Sequence, residues 1–219
     1  GLNRVFTHET SSDPRAVKAP PVLDWWVGKS WDDLRMHEVP QKTSSLSAIA
    51  STKDHIAGHR RRNRFIDILQ KEIKDVEIFG AGRSSELADK WDGLAPYRYS
   101  IAIENTSKPD YWTEKVADCF MTYTVPIYFG ATNLDEYFPR KSFIWIPVCE
   151  PETAIEKILQ VLRNDDWSER LQAVIEARNL VFESYSLFGQ LSRRVRDEAP
   201  AILSAPRVVT KVHGRRTRP

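Results

Sequence analysis

The sequence predicts an α/β fold, a Rossmann-like parallel sheet flanked by helices. Three observations carry that expectation. From Ser44 onward, short apolar runs of strand length alternate with longer runs of helical period. The strand runs close at a glycine or at a polar loop that feeds the next helix. The chain has 219 residues at 41% hydrophobic content, enough to bury the core of one such domain. Alternation of this kind implies a sheet covered on both faces and joined by right-handed crossovers.

Residues 1–43 are rich in proline and tryptophan: Pro14, Pro20, Pro21, Trp25, Trp26, Trp31 and Pro40. They show no clean period and read as an irregular interdomain segment that packs by its aromatics. On that reading Trp25, Trp26 and Trp31 serve packing rather than sugar binding. Residues 44–51 (SSLSAIAS) are small, apolar and strand-like. Residues 57–73 place Phe65, Ile66, Leu69 and Ile73 on one helical face. Residues 76–79 form a strand closed by the turn Gly80-Ala81-Gly82. Residues 99–103 alternate as a strand. Residues 113–123 form a helix with Val116, Ala117 and Phe120 inward, capped by Thr113 or Asp110. Strands follow at 125–130 and 142–146. Pro151 suits a first helical turn and leads Ala154, Ile155, Ile158, Leu159 and Leu162. Residues 167–182 continue with Leu171, Val174, Ile175 and Leu180, and a last helix covers 187–195. The expected division is an irregular segment at 1–43, the Rossmann-like domain at 44–200 and a basic tail at 201–219.

Bulk chemistry narrows the function. Lys and Arg total 32 against 30 Asp and Glu, so charge gives no case for nucleic acid. Two cysteines, Cys119 and Cys149, are too few for a disulfide framework or a zinc knuckle, which favours a reducing, cytoplasmic setting. No apolar run reaches the roughly 18 residues that span a bilayer. Residues 207–218 hold basic side chains and no acid. They read as a disordered end or as a peripheral contact with the anionic inner face of a membrane. His8, His37 and His55 have no partners at ligand spacing, and no Asp-x-Asp occurs, so no metal site is expected. Asp32-Asp33 and Asp165-Asp166 read as surface or capping pairs. The chain begins with Gly1, and residues upstream of it are expected.

In sheets of this kind ligands bind beyond the carboxyl ends of the strands, in loops that lead into helices. Two loops qualify. The first, residues 52–64, carries Arg60, Arg61, Arg62 and Arg64 near a helix start. Such a run is either a solvated face or an anion grip, because four guanidinium groups there oppose the helix dipole until a phosphate relieves them. His59 is a further phosphate contact on the second reading. The other loop, residues 104–115, ends in Glu114 and Lys115. A Lys in a first turn also opposes the dipole, so it reads as a surface partner of Glu114 or as a point charge for a diphosphate. Asn105-Thr106-Ser107 is a formal glycosylation sequon, here read as part of a loop rather than as an acceptor.

These residues fall into ordered motifs. Glu104-Asn105-Thr106-Ser107 followed by Asp110-Tyr111-Trp112-Thr113-Glu114-Lys115 resembles the E-N-[ST]-x-x-x-[DG]-Y-x-T-E-K signature of the α-1,3/1,4-fucosyltransferases. Val125-Pro126-Ile127-Tyr128-Phe129-Gly130 and Pro139-Arg140-Lys141-Ser142-Phe143-Ile144 resemble that family's V-P-V-x-x-G and P-x-x-S-F-I segments. Arg62-Asn63-Arg64-Phe65 is similar to its R-N-x-F helix start, and Tyr97-Arg98-Tyr99 to its Y-K-F lead-in. The resemblance implies the C-terminal, donor-binding half of an inverting GT-B glycosyltransferase that uses GDP-fucose, a glycan acceptor and no obligatory cofactor. It implies that Arg62 and Lys115 hold the diphosphate, that Glu114 contacts the fucose, and that Asn105 and Tyr111 line the nucleotide pocket. It also implies an upstream acceptor domain carrying the general base. Glu9, Asp13, Asp24 and Glu38 are candidate acids for that role in the N-terminal segment, and none sits in a motif. Two alternatives remain at this stage: transfer from another GDP-sugar, or a catalytically silent nucleotide-sugar-binding module.

Overall fold

The computed structural model describes residues 5–9, 11–19, 21, 25–83 and 85–204, with Phe6 and residues 197–204 described by backbone alone. Asp24 and the basic run at 207–218 lie outside the described residues. The core is a five-stranded, all-parallel sheet. Its strands are β3 (Ser44–Ile49), β4 (Val76–Phe79), β5 (Tyr97–Ile103), β6 (Val125–Phe129) and β7 (Ile144–Trp145), in the order β4-β3-β5-β6-β7. The chain starts at β3, steps outward to β4, then returns across β3 to β5. The direction of winding therefore reverses between β3 and β5. That pair is the switch point of the sheet, where a crevice opens beyond the strand ends.

The two middle strands follow from sequence. β5 and β6 are buried almost throughout, and both read as near-continuous apolar runs, the pattern of strands covered on two faces. β7 pairs only with Ile127 and Tyr128, which leaves Pro126 outside that ladder and removes the objection to a proline in an inner strand.

Helices α2 (Ala57–Glu72), α3 (Glu114–Met121), α4 (Pro151–Asn164), α5 (Trp167–Leu180) and α6 (Leu187–Ser204) flank the sheet. α2 buries Phe65, Ile66 and Leu69, as its period requires, and adds Arg62 to the buried face. α3 ends at Met121, short of the expected Tyr123. There the chain turns through Thr122 into Tyr123, whose φ of 57° is left-handed. The helix expected over 167–182 stops at Leu180 and widens into a π turn, Val181–Tyr185. The strand expected over 142–146 is shorter, because Arg140–Ser142 forms a 3-10 turn before β7.

Residues 1–43 hold more order than their composition suggests. β1 (Val5–Thr7) and β2 (Ala16–Lys18) pair in parallel, and α1 (Trp31–Met36) starts with a Ser30/Asp33 capping box. Trp25 and Trp31 pack edge-on against Phe182, as the packing reading expects. Arg178 ties α1 to the body. It is buried, stacks between Tyr123 and Phe182, and donates to the carbonyl of Leu34.

Candidate functional site

At the switch point a cavity of about 380 Å³ opens beyond β3 and β5. Its walls include Ser51 after β3, Arg62 from α2, Gly80 and Ala81 after β4, Ile103 ending β5, and Glu114 and Lys115 opening α3. The volume is within the usual range for a small-ligand site. Arg62, Glu114 and Lys115, singled out in two separate loops, thus meet in one space.

Two backbone features bring the loops together. Gly58 lies in the first turn of α2 against the backbone of Asn105; a Cβ there would stand 1.9 Å from the Asn105 carbonyl oxygen. The helix start can approach the second loop only because residue 58 has no side chain. Asp110, in that second loop, has a φ of 62°. The region is open to Gly and tolerated by Asp, the two residues that the motif allows at this place. Its carboxylate accepts from Asn133 Nδ2 (2.9 Å), Tyr137 Oη (2.7 Å) and Lys18 Nζ (2.9 Å), which holds it far down, at about 2.

The four arginines of the first loop divide. Arg60 and Arg64 are exposed. Arg61 donates to the Asn105 carbonyl (3.1 Å) and stacks over Phe129. Arg62 is buried, donates to the Ser51 carbonyl (3.1 Å) and lies 3.4 Å from Asn105 Oδ1. So the run is half a solvated face and half a site. At Ile56 no side chain caps α2, and no acid occupies its first turn. The helix presents its N–H groups and positive dipole end uncompensated, the arrangement that receives phosphate. Four buried polar atoms of this start lack a partner: His59 Nδ1, Arg61 Nε, Arg62 Nε and Asn63 Oδ1. Such groups cost free energy until something meets them.

The second loop is built on Glu104, which is fully buried. It accepts from the Thr113 backbone N–H and hydroxyl, each at 2.8 Å, and stands 3.2 Å from Lys115 Nζ. Thr113 in turn caps α3 by accepting from the Lys115 N–H. Burial pushes the Glu104 carboxyl up, against the pull of Lys115. For Lys115 burial acts downward, but Glu104 and Glu114 outweigh it and keep the ammonium charged. Glu114 is drawn below its ordinary value although burial opposes this, because Lys115 and Lys90 are close. The cavity thus brings three basic side chains, those of Arg62, Lys90 and Lys115, together with two carboxyl groups, those of Glu114 and Asp118.

The other expected residues, Asn105, Tyr111 and His59, do not line it. Asn105 reaches the cavity through Arg62 rather than lining it. Tyr111 is half-buried under Lys108, and its carbonyl lies 3.4 Å from Tyr128 Oη. His59 is half-buried beside His55; burial first, then Arg62 and other cations, pulls it below its ordinary value, so it is a neutral imidazole at pH 7. Of the N-terminal acids, Glu9 pairs with Lys108 (2.6 Å), Asp13 pairs with Arg15 (2.7 Å), and Glu38 is exposed. None of these three lines the cavity. Among the described residues no cluster of three His, Cys, Asp or Glu could hold a metal ion, and no helix is long and apolar enough to cross a membrane.

Sequence reasoning passed over the polar cavity residues Ser51, Lys90 and Asp118, and it read Trp26 as a packing residue, whereas that ring is 68% exposed and lines the cavity. Asp118 alone carried a signal, since it follows Glu114 by four positions and shares its helix face.

A parallel sheet wound about such a crevice, with cationic helix starts beside it, is a Rossmann-like nucleotide-binding architecture, and its likeness to solved α1,3-fucosyltransferases makes it one half of a GT-B glycosyltransferase fold. The C-terminal model of glycosyltransferase family 10 (fucosyltransferase) matches residues 39–170. The chain belongs to that family. It is 34% identical over 86 residues to an alpha-(1,3)-fucosyltransferase of Helicobacter pylori, an alignment covering 38% of this chain and 18% of that protein. It is 28% identical to a 4-galactosyl-N-acetylglucosaminide 3-alpha-L-fucosyltransferase of Gorilla gorilla gorilla, over 64% of this chain and 40% of the relative. Among solved structures it superposes on an α1,3-fucosyltransferase with GDP-fucose at a TM-score of 0.50 and 26% identity, over 62% of this chain and 39% of that one. The chain therefore spans less than half the length of each of these proteins.

Proposed function

We propose that this chain is the donor half of an inverting fucosyltransferase: it binds GDP-fucose and presents it to a glycan hydroxyl. One observation carries the reading. Arg62 and Lys115, delivered by loops from the two strands at the switch point, line one cavity together with Glu114. In the reaction the bond from the sugar C1 to the β-phosphate oxygen breaks, and the acceptor oxygen bonds to C1 from the opposite face. Negative charge grows on the departing GDP, and preset cations lower that barrier. Positive charge grows on the sugar, where an ionised carboxylate such as Glu114 is favourable. The acceptor's proton passes to a general base. We assign that base to an acceptor domain elsewhere in the protein, as the family resemblance implies; Glu9, Asp13 and Glu38 lie outside the cavity. His59, neutral, offers a ring N–H to phosphate, and Asn105 and Tyr111 flank the nucleotide.

The α1,3-fucosyltransferase on which the chain superposes was solved with GDP-fucose, which supports the choice of sugar. In the same proposal the basic run at 207–218 rests on the anionic inner face of a membrane.

Calorimetric titration with GDP tests the reading. Arg62→Ala and Lys115→Ala should each weaken binding by about tenfold or more, the worth of a charge-assisted contact. Unchanged affinity in both variants would remove the diphosphate from this cavity. A clear preference for GDP-mannose over GDP-fucose would overturn the sugar and keep the fold.

A further inference from the structure

The cavity has a second set of walls that the donor chemistry leaves unused. Asp118 is buried and follows Glu114 by four positions on α3, so it lies one helical turn further along the same face. It holds two partners: the Trp26 backbone N–H (2.6 Å) and Lys90 Nζ (2.7 Å). Lys90 Nζ lies over one face of the Trp26 ring, 5.2 Å from its centre, which leaves the opposite face for a ligand. Both residues line the cavity with Glu114.

Trp26 differs from its neighbours. Trp25 and Trp31 are packed against Phe182, and Trp25 Nε1 donates to the Lys29 carbonyl. Trp26 is 68% exposed although its backbone is pinned to a buried carboxylate. An exposed indole forgoes the free energy of burial, which a ligand covering the ring recovers. Here it is held in place in the wall of the cavity. Lys90 spends one of its donors on Asp118. The pair therefore offers an apolar ring face beside a fixed ammonium donor. A pyranose presents the complement, a patch of C–H bonds edged by hydroxyls.

We propose that Trp26 and Lys90 form a pyranose subsite, one helical turn along α3 from Glu114, with the sugar stacked on the indole and a hydroxyl accepting from Lys90. The proposal rests on the donor reading for the place of the nucleotide, but its readout is sugar binding. The sugar is either the donor's fucose or the first residue of the acceptor.

The test titrates the whole chain, by calorimetry, with GDP, with GDP-fucose, and with N-acetyllactosamine in the presence of GDP. That disaccharide is of the galactosyl-N-acetylglucosaminide class named for one relative. Trp26→Ala should leave GDP affinity within about twofold and weaken one of the sugar ligands by about five- to tenfold, with Trp26→Phe restoring part of the loss. Loss for GDP-fucose assigns the subsite to the donor, and loss for the disaccharide assigns it to the acceptor. Lys90→Met should weaken the same ligand. Sugar affinities that Trp26→Ala leaves unchanged, equal losses for GDP and GDP-fucose, or a chain that binds neither sugar would overturn the subsite. Failure of GDP alone, with Trp26-dependent sugar binding intact, would overturn the donor reading and leave the subsite standing.

Discussion

The Glu104 carboxylate, fully buried, stands 3.2 Å from Lys115 Nζ and binds Thr113 through both its backbone N–H and its hydroxyl. One acid thereby fixes the cap of α3 and the cation at its first turn. Glu104→Gln keeps the shape and an acceptor for Thr113 but removes the charge that holds Lys115. The variant should lose about 1–3 kcal/mol of stability, the range for a broken buried charged contact. Its GDP affinity should fall as well, because Lys115 is no longer fixed. Chemical denaturation and calorimetry on the same samples check both.

Gly58→Ala should behave against helix propensity. In an exposed helix the change gains up to about 1 kcal/mol. Here the new Cβ would stand 1.9 Å from the Asn105 carbonyl oxygen, which belongs to backbone and has no rotamer to escape by. Either α2 or the Asn105 loop must shift. Melting temperature and GDP affinity should fall together, and a variant as stable as the unchanged chain would show that the two loops are not in close contact.

Asp110 separates conformation from contacts. Its φ of 62° favours Gly, while its carboxylate holds Asn133, Tyr137 and Lys18. Stability should rank Asp above Gly and Gly above Ala, since Gly loses the contacts and Ala loses the contacts and adds strain. The folded carboxyl sits at about 2, below its unfolded value near 4. Its contribution is therefore present above pH 4 and is lost as pH falls through 2. Acid unfolding of Asp110→Gly should be less steep across that window than that of the unchanged chain.

Much of the site was legible because its logic is local. Strand, polar loop and helix start place Arg62 and Lys115 at the sheet's carboxyl edge, and the winding reversal brings their two strands together. The helical period of 57–73 likewise gave the buried face of α2, apart from Arg62. What stayed hidden depends on contacts distant in sequence. Gly58 reads as an indifferent residue until Asn105 arrives against it. Arg178 reads as a surface base in α5, yet its partners are Tyr123, Phe182 and the Leu34 carbonyl. Trp26 shares its composition with Trp25 and is told apart only by burial. The short α1 escaped because its six residues carry too little period to register, although the Ser30-x-x-Asp33 box marked its start.

Lys42 supplies an alkaline test of the fold. Its ammonium lies in a nearly dry niche before β3 and donates to the Ala95 and Thr122 carbonyls and to Thr124 Oγ1. These three oxygens belong to neutral groups, so none offers a counter-charge. Burial consequently pulls the folded value down to about 7, against about 10.4 in the unfolded chain. Between those values the unfolded state binds the extra proton. Stability then rises with pH, by at most about 1.4 kcal/mol per unit for one group. The sign is opposite to that of a lysine held by a carboxylate, as Lys115 is by Glu104. Lys42→Met removes the titration. It also deprives three oxygens of a donor, so its stability at any one pH is not the readout. The slope is: unfolding free energy measured from pH 7 to pH 9.5 should climb more steeply for the unchanged chain than for Lys42→Met, and parallel lines would mean that Lys42 keeps its proton throughout.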